Sequence, residues 1–142
     1  MPAIAGRPDG LDLLPRDAGL GEGPRITLST DNVHIEYRVF GHGEPALVLI
    51  HGWACDENYW HAQLDALKAH YTVVTVNLAG HGASGANRSD WSVANYAQDV
   101  VAVARQLPNP QLELVGHSMG AAVALAATPL LGERVIGVVA IE

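Results

Sequence analysis

The chain has 142 residues, of which 49% are hydrophobic and 16% charged, and it carries a net charge of −7. That length holds one compact domain and not two, and the composition excludes an intrinsically disordered chain. With only eight Lys and Arg, scattered along the sequence, nucleic acid is excluded as a partner, because phosphate recognition needs clustered cations.

Residues 1–24 carry Pro2, Gly6, Pro8, Gly10, Pro15, Gly19, Gly21, Gly23 and Pro24 and no periodic apolar face. They read as a flexible leader, or as the product of a misassigned start codon. They lack the basic start and apolar core of a secretion signal, which points to a cytoplasmic protein. Regular patterning begins at Arg25, so the domain is expected over 25–142. Ile26 to Ser29 and Val33 to Phe40 alternate apolar and polar around Asp31-Asn32, the pattern of an antiparallel hairpin. Gly41 to Pro45 is a loop, and Ala46 to Ile50 is continuously apolar, as in a strand covered on both faces. Trp60, Leu64 and Leu67 recur at helical spacing, and Thr72 to Val76 is a second buried strand. Ser92 is placed to cap a helix with Val93, Ala97, Val100, Ala104 and Leu107 on one face, ended by Pro108 and Pro110. Leu112 to Val115 is a strand, Ser118 to about Ala127 a small-residue helix, and Val135 to Ile141 a last apolar strand. The apolar stretch Gly120 to Leu131, interrupted by Thr128 and Pro129, falls short of the ~18 residues of a membrane span, so no membrane contact is expected. This alternation predicts an α/β fold, a mostly parallel sheet with helices on both faces.

The strongest chemical signal is Gly116-His117-Ser118-Met119-Gly120, which follows a buried strand and opens a helix. A G-x-S-x-G bend in that context forces the serine into a strained backbone conformation, and its neighbours two residues away must lack bulk. Ser118 Oγ is thereby raised above the sheet at a helix N-terminus, where developing negative charge is favoured. The plainer alternative is a Gly-rich strand–helix turn that happens to contain a serine. A second signal, His51-Gly52-Trp53, ends the strand at Ala46–Ile50. A third, Asn77-Leu78-Ala79-Gly80-His81-Gly82-Ala83-Ser84-Gly85, follows the next strand.

Together these three loops make the chain, from about Arg25 to Glu142, resemble the α/β-hydrolase fold family. The third loop resembles the family's D-x-x-G-x-G-x-S segment, with Asn77 standing where the family usually has Asp. The resemblance implies that Ser118 is a catalytic nucleophile and that the backbone N–H groups of Trp53 and Met119 form an oxyanion hole, their side chains lining an acyl pocket. It implies support roles for His51, Gly52, Gly116, His117 and Gly120; His51 is expected to orient its loop rather than to catalyse. Gly80, Gly82 and Gly85 also spell G-x-G-x-x-G, but three residues separate the strand from the first glycine and the helix starts only near Ser92, so a dinucleotide site is not expected. No cofactor and no metal site is expected; His61 and His70 lack ligand spacing. Cys55, the only cysteine, allows no intrachain disulfide, fits a reducing compartment, and reads as a pocket thiol or a small buried residue.

All seven histidines (His34, His42, His51, His61, His70, His81 and His117) precede Ser118, whereas this family's order is Ser, acid, His. Glu142 ends the sixth strand and is either the acid or an ordinary residue where the sequence stops. The fold is therefore expected to be truncated after the sixth strand, leaving strand 135–141 as an open edge for self-association. The function implied is a serine hydrolase that cleaves an ester or related acyl bond of a small molecule through a Ser118 acyl-enzyme, incomplete in these 142 residues. The alternative is a non-catalytic binding or interaction protein on the same scaffold.

Overall fold

The computed structural model describes residues 21–142; the leader expected over 1–24 lies almost wholly outside them. The strands are β1 (Arg25–Leu28), β2 (His34–Phe40), β3 (Ala46–Ile50), β4 (Thr72–Val76), β5 (Leu112–His117) and β6 (Val135–Ile141), and the α-helices are α1 (Leu64–Lys68), α2 (Val93–Ala104) and α3 (Met119–Leu131). They form one six-stranded sheet in the order β1-β2-β4-β3-β5-β6. β1 and β2 are the expected hairpin, with Arg25 opposite Tyr37 and Leu28 opposite His34. Its turn places Asn32 at φ +67°, a conformation Asn tolerates better than most residues. β2 runs antiparallel to β4, and β4, β3, β5 and β6 are mutually parallel.

Strand burial follows the sequence pattern. Ile35, Tyr37 and Val39 of the alternating β2 point inward, and every residue of β3 and β4 is buried. One face of the sheet packs on α2 and α3 through the larger core, which includes Val48, Ile50, Val74, Val100, Leu114 and Val123. The other face holds Leu47, Leu49 and Val73 against Trp60, with Leu64 and Leu67 beside them. The segment of Trp60 is expected to be α-helical, but Glu57–Gln63 winds as a 3-10 helix before α1. A three-residue turn puts Glu57 and Trp60 on the same side, and both face the sheet: Trp60 is buried and Glu57 Oε1 accepts from Thr75 Oγ1 at 3.0 Å.

Ser92 caps α2 as expected, its Oγ accepting from the N–H of Asn95 at 3.2 Å. Val93, expected on the buried face, is 38% exposed, because the first turn of α2 overhangs the core that Tyr96, Ala97 and Val100 fill. The helix stops at Ala104, ahead of the prolines. Arg134 donates there to the last helical carbonyl, of Ala104, at 3.0 Å and to the loop carbonyls of Leu107 and Asn109 at 3.2 and 2.7 Å, bracing the chain where it leaves the helix. α3 runs past the expected end at Ala127 and contains Pro129. The missing proline N–H deprives only the carbonyl of Leu125, a residue on the exposed side of the helix, so the last turn survives. β6 is a sheet edge that exposes Ile136, Val139 and Ile141. No helix among the described residues is long and apolar enough to cross a membrane.

The topology locates a crevice. From β3 the chain crosses to β4 on one side, whereas from β5 it continues to β6 on the other. Neighbouring parallel strands whose connections diverge leave a gap at their C-terminal ends, and ligands of open α/β sheets bind there. The loops at that gap are 51–55, after β3, and the bend at 117–119, after β5.

Candidate active site

Ser118 occupies the bend between β5 and α3 with φ +55° and ψ −117°, a region that residues with a Cβ rarely enter. The side chain is exposed. Sterics explain the flanking glycines. A Cβ on Gly116 would run into the backbone of Gly120 and Ala121, and one on Gly120 would run into the carbonyl oxygens of Ile50 and His51. The first turn of α3 is thus seated directly on the end of β3. The N–H of Ser118 donates to the carbonyl of Ile141 at 2.8 Å, and its carbonyl accepts from Ala121 N–H at 2.9 Å. The bend is pinned to β6 on one side and to α3 on the other, and Glu142 follows one residue beyond the β6 anchor.

The loop after β3 lies against this bend. A Cβ on Gly52 would come within 3.1 Å of the His117 carbonyl and 3.3 Å of Ser118 Cβ. Cys55 N–H donates to the Gly52 carbonyl at 3.2 Å, closing a turn with Trp53 and Ala54 at its centre, and Ala54 has φ +63°. Trp53 is 66% exposed. Met119, expected to line a pocket with Trp53, is only partly buried, and its side chain packs against the larger core.

Histidines brace the loops. His51 is fully buried; its Nδ1–H donates to the Gly52 carbonyl at 2.7 Å and its Nε2 accepts from Leu78 N–H at 3.1 Å. Burial pushes its imidazole below the usual histidine range. His81 answers from the loop after β4, with Nδ1–H donating to the Ala79 carbonyl at 2.9 Å and Nε2 accepting from Ala54 N–H at 3.1 Å. Both rings therefore spend both nitrogens on backbone groups. His117 turns to the opposite side of the sheet, where it stacks on Tyr59 at 4.2 Å and leaves Nδ1 buried without a partner. Cys55 is half-buried, and no group of acidic, His and Cys residues among those described is arranged to hold a metal.

The loop after β4 owes its glycines to internal packing. A Cβ on Gly82 would strike the Asn77 carboxamide, and one on Gly80 would strike the Trp91 ring; α2 begins only at Val93. Asn77 is at the centre of a polar cluster that no motif in the sequence signals. Its Oδ1 accepts from Glu57 N–H at 2.8 Å, and its Nδ2 donates to Glu36 Oε1 at 2.8 Å and to Glu57 Oε2 at 3.1 Å. Ser84 Oγ donates to the Asn77 carbonyl at 2.5 Å and accepts from Glu36 N–H at 2.8 Å. An amide suits this place, where the family that the chain resembles usually has a carboxylate: two carboxylates converge on a position that must donate. A second cluster, equally unsignalled, is the fully buried pair of Arg88 and Asp99, 2.5 Å apart, with Asp31 2.7 Å from Arg88 Nε. Burial opposes the Arg88 charge, but the bonds to Asp99 and Asp31 outweigh it and strengthen its hold on the proton. Bonding to Arg88 lowers the Asp31 carboxyl. Asp99 also accepts from Ala79 N–H at 3.1 Å, so this cluster fastens the same loop.

A mixed sheet with helices on both faces, bearing a strained strand–helix bend at its switch point, defines the class of α/β hydrolases. The family model described as alpha/beta hydrolase fold matches residues 45–142, and the chain belongs to that family. Among curated relatives, it is 38% identical over 84 residues to a pimeloyl-[acyl-carrier protein] methyl ester esterase of Yersinia pseudotuberculosis, covering 59% of this chain and 31% of that protein. It is 33% identical over 91 residues to an (E)-2-((N-methylformamido)methylene)succinate hydrolase of Acinetobacter baylyi, covering 64% and 34%. Among solved structures, an esterase from Rhodococcus sp. ECU1013 superimposes with a TM-score of 0.76 at 36% identity, covering 82% of this chain and 44% of that one. The chain thus spans about a third of the length of these curated relatives.

Proposed function

We propose that this chain carries the nucleophile and oxyanion loops of a serine hydrolase that cleaves an ester or related acyl bond in a small molecule. The observation that supports the reading is the Ser118 backbone at φ +55° and ψ −117°, exposed at the sheet's switch point beside the loop of Trp53. Relatives whose names are those of an esterase and a hydrolase agree with it. In this reading Ser118 Oγ adds to the acyl carbon and the carbonyl electron pair moves to oxygen. The N–H groups of Trp53 and Met119 hold the resulting oxyanion; losing one such donor typically lowers the rate ~10²–10³-fold. The acyl-enzyme forms as the alcohol leaves and is later released by water.

The Ser118 proton needs a base. His51 and His81 have no free nitrogen, and His117 is stacked on Tyr59 across the sheet. The reading assigns the base to none of these three. The test is labelling of the purified chain with a fluorophosphonate, with added imidazole as a substitute base. Slow labelling is expected, accelerated by imidazole and abolished in Ser118→Ala. Equal labelling of Ser118→Ala, or a folded chain that stays unlabelled with imidazole across neutral and alkaline pH, would favour a non-catalytic binding protein on this scaffold.

A further inference from the structure

The turn at 52–55 and the loop at 77–85 are joined by a single backbone-to-imidazole bond that controls one peptide plane. Cys55 N–H to the Gly52 carbonyl makes Trp53 and Ala54 the two central residues of a β-turn. The second central residue has φ +63°, the feature of a type II turn, in which glycine is favoured at that place. A type I turn would join the same flanking residues with the Trp53–Ala54 peptide turned over and a negative φ at residue 54. Alanine is unfavourable at positive φ, so something must hold the plane as it stands. The one group bonded to that peptide's N–H is His81 Nε2, at 3.1 Å. The ring cannot turn to release it cheaply: Nδ1–H is engaged by the Ala79 carbonyl at 2.9 Å, and the Ala79 N–H is in turn held by buried Asp99 at 3.1 Å. The Trp53 ring meets the His81 ring edge-on at 5.5 Å, so the same imidazole contacts both the main chain and the side chain of the turn.

We propose that neutral His81 is a positioning residue for the oxyanion loop: its bare Nε2 fixes the Trp53–Ala54 peptide in the strained orientation, and protonation releases it. An imidazolium has two donors and no acceptor. Once Nε2 takes a proton from solvent, the bond from Ala54 N–H is lost. Turning the peptide over then offers the Trp53 carbonyl to Nε2–H and removes the positive φ at Ala54, so both changes favour the flipped turn. The charged and titratable groups around the ring are His51 at 4.9 Å and Tyr96 at 6.1 Å between centroids, the Arg88–Asp99 pair behind Ala79, and Asp56 and Glu57 beyond His51. The Trp53 N–H belongs to the Gly52–Trp53 peptide, which this flip leaves in place; the consequence for chemistry therefore rests on the proposed oxyanion role of the whole loop, whereas the peptide geometry does not.

The test separates the two. In the 15N-labelled chain at neutral pH, His81 is expected as the Nδ1–H tautomer, with a slowly exchanging Ala54 amide. On acidification the Trp53 and Ala54 amide resonances should move with the His81 ring nitrogens. His81→Leu should expose the Ala54 amide to exchange. His81→Gln, whose side-chain oxygen reaches the same N–H without titrating, should keep it protected and abolish the pH response. Amides of residues 53 and 54 that ignore the His81 titration, or that follow His51 instead, overturn the proposal. In the fluorophosphonate assay His81→Leu should slow Ser118 labelling, with His81→Gln restoring it. A chain that never labels defeats the hydrolase reading and leaves the resonances to decide on His81. Labelling that is indifferent to His81→Leu while the resonances shift defeats the positioning role.

Discussion

Replacing Asn77 by the aspartate common in the family should destabilise this chain, and by an amount that depends on pH. The Asn77 side chain donates to Glu36 Oε1 at 2.8 Å and Glu57 Oε2 at 3.1 Å while accepting from Glu57 N–H at 2.8 Å, and the residue is 1% exposed. An ionised carboxyl keeps the accepted bond but turns its second oxygen on two carboxylates. At about 3 Å and an effective dielectric of 20, each repulsion would be roughly 5 kcal/mol. Taking up a proton is cheaper: neutralising a group of ordinary pKa ~3.9 at pH 7 costs about 4 kcal/mol. The protonated acid donates one bond where the amide donated two, and a lost bond to a charged acceptor costs ~1.5–3 kcal/mol. With Arg38 Nε 3.2 Å from Glu57 Oε1 tempering the repulsion, Asn77→Asp should cost ~5 kcal/mol at pH 7 and ~2 kcal/mol near pH 4. The sign follows from linkage. The folded-state pKa of the new carboxyl is raised, so the folded state binds the extra proton; stability is retained below pH ~4 and lost as pH rises. Urea unfolding of both chains between pH 4 and 8 measures this, and adding Glu36→Gln should restore part of the loss. An Asn77→Asp chain as stable as the parent at pH 7, or a deficit that does not change with pH, would refute the account of the cluster.

Four further outcomes are expected. Arg88→Met strands the buried Asp99 carboxylate and should cost ~3–5 kcal/mol; adding Asp99→Asn should recover part of it, as a double-mutant cycle in urea would read. Ser118→Gly removes a Cβ from a positive-φ position, relieving ~1–3 kcal/mol of strain against ~1 kcal/mol of added chain entropy, so its Tm should equal or exceed that of Ser118→Ala. His51, held below the usual histidine range by burial, binds fewer protons folded than unfolded, so stability should fall as pH drops below ~6.5, by at most ~1.4 kcal/mol per pH unit; the slope should flatten in His51→Gln. The open β6 edge with Ile136, Val139 and Ile141 exposed should make the 142-residue chain associate as its concentration rises; Val139→Lys should shift sedimentation toward monomer, and a monodisperse parent chain at all concentrations would count against the edge as a contact.

The elements that could be read in the sequence are those whose side chains report their own burial. β2 alternates because one face meets the core, and β3 and β4 are unbroken apolar runs because both faces do. Where the outcome differed, a distant group decided. The 3-10 winding at Glu57–Gln63 lets Glu57 reach Thr75 and Asn77. α2 ends early where Arg134 meets the carbonyl of Ala104. Neither contact leaves a periodic trace near the residues it affects.

The same division holds at the site. The bend at Ser118 was legible because its constraint is local: a positive φ there brings residues 116 and 120 together, and only glycine fits both places. The clusters that fasten the loops were not, because their members meet across 41 residues in Asn77–Glu36 and 57 in Arg88–Asp31. Asn77 shows what such distance does to inference. Seen alone, it looks like a neutral substitution that keeps the acceptors of an aspartate. In the fold, its donors are what matter, since two carboxylates meet there and an amide can satisfy both without taking up a proton. The departure from the family pattern is intelligible only together with Glu36 and Glu57, so a change at any one of the three should be tolerated only when the others change with it.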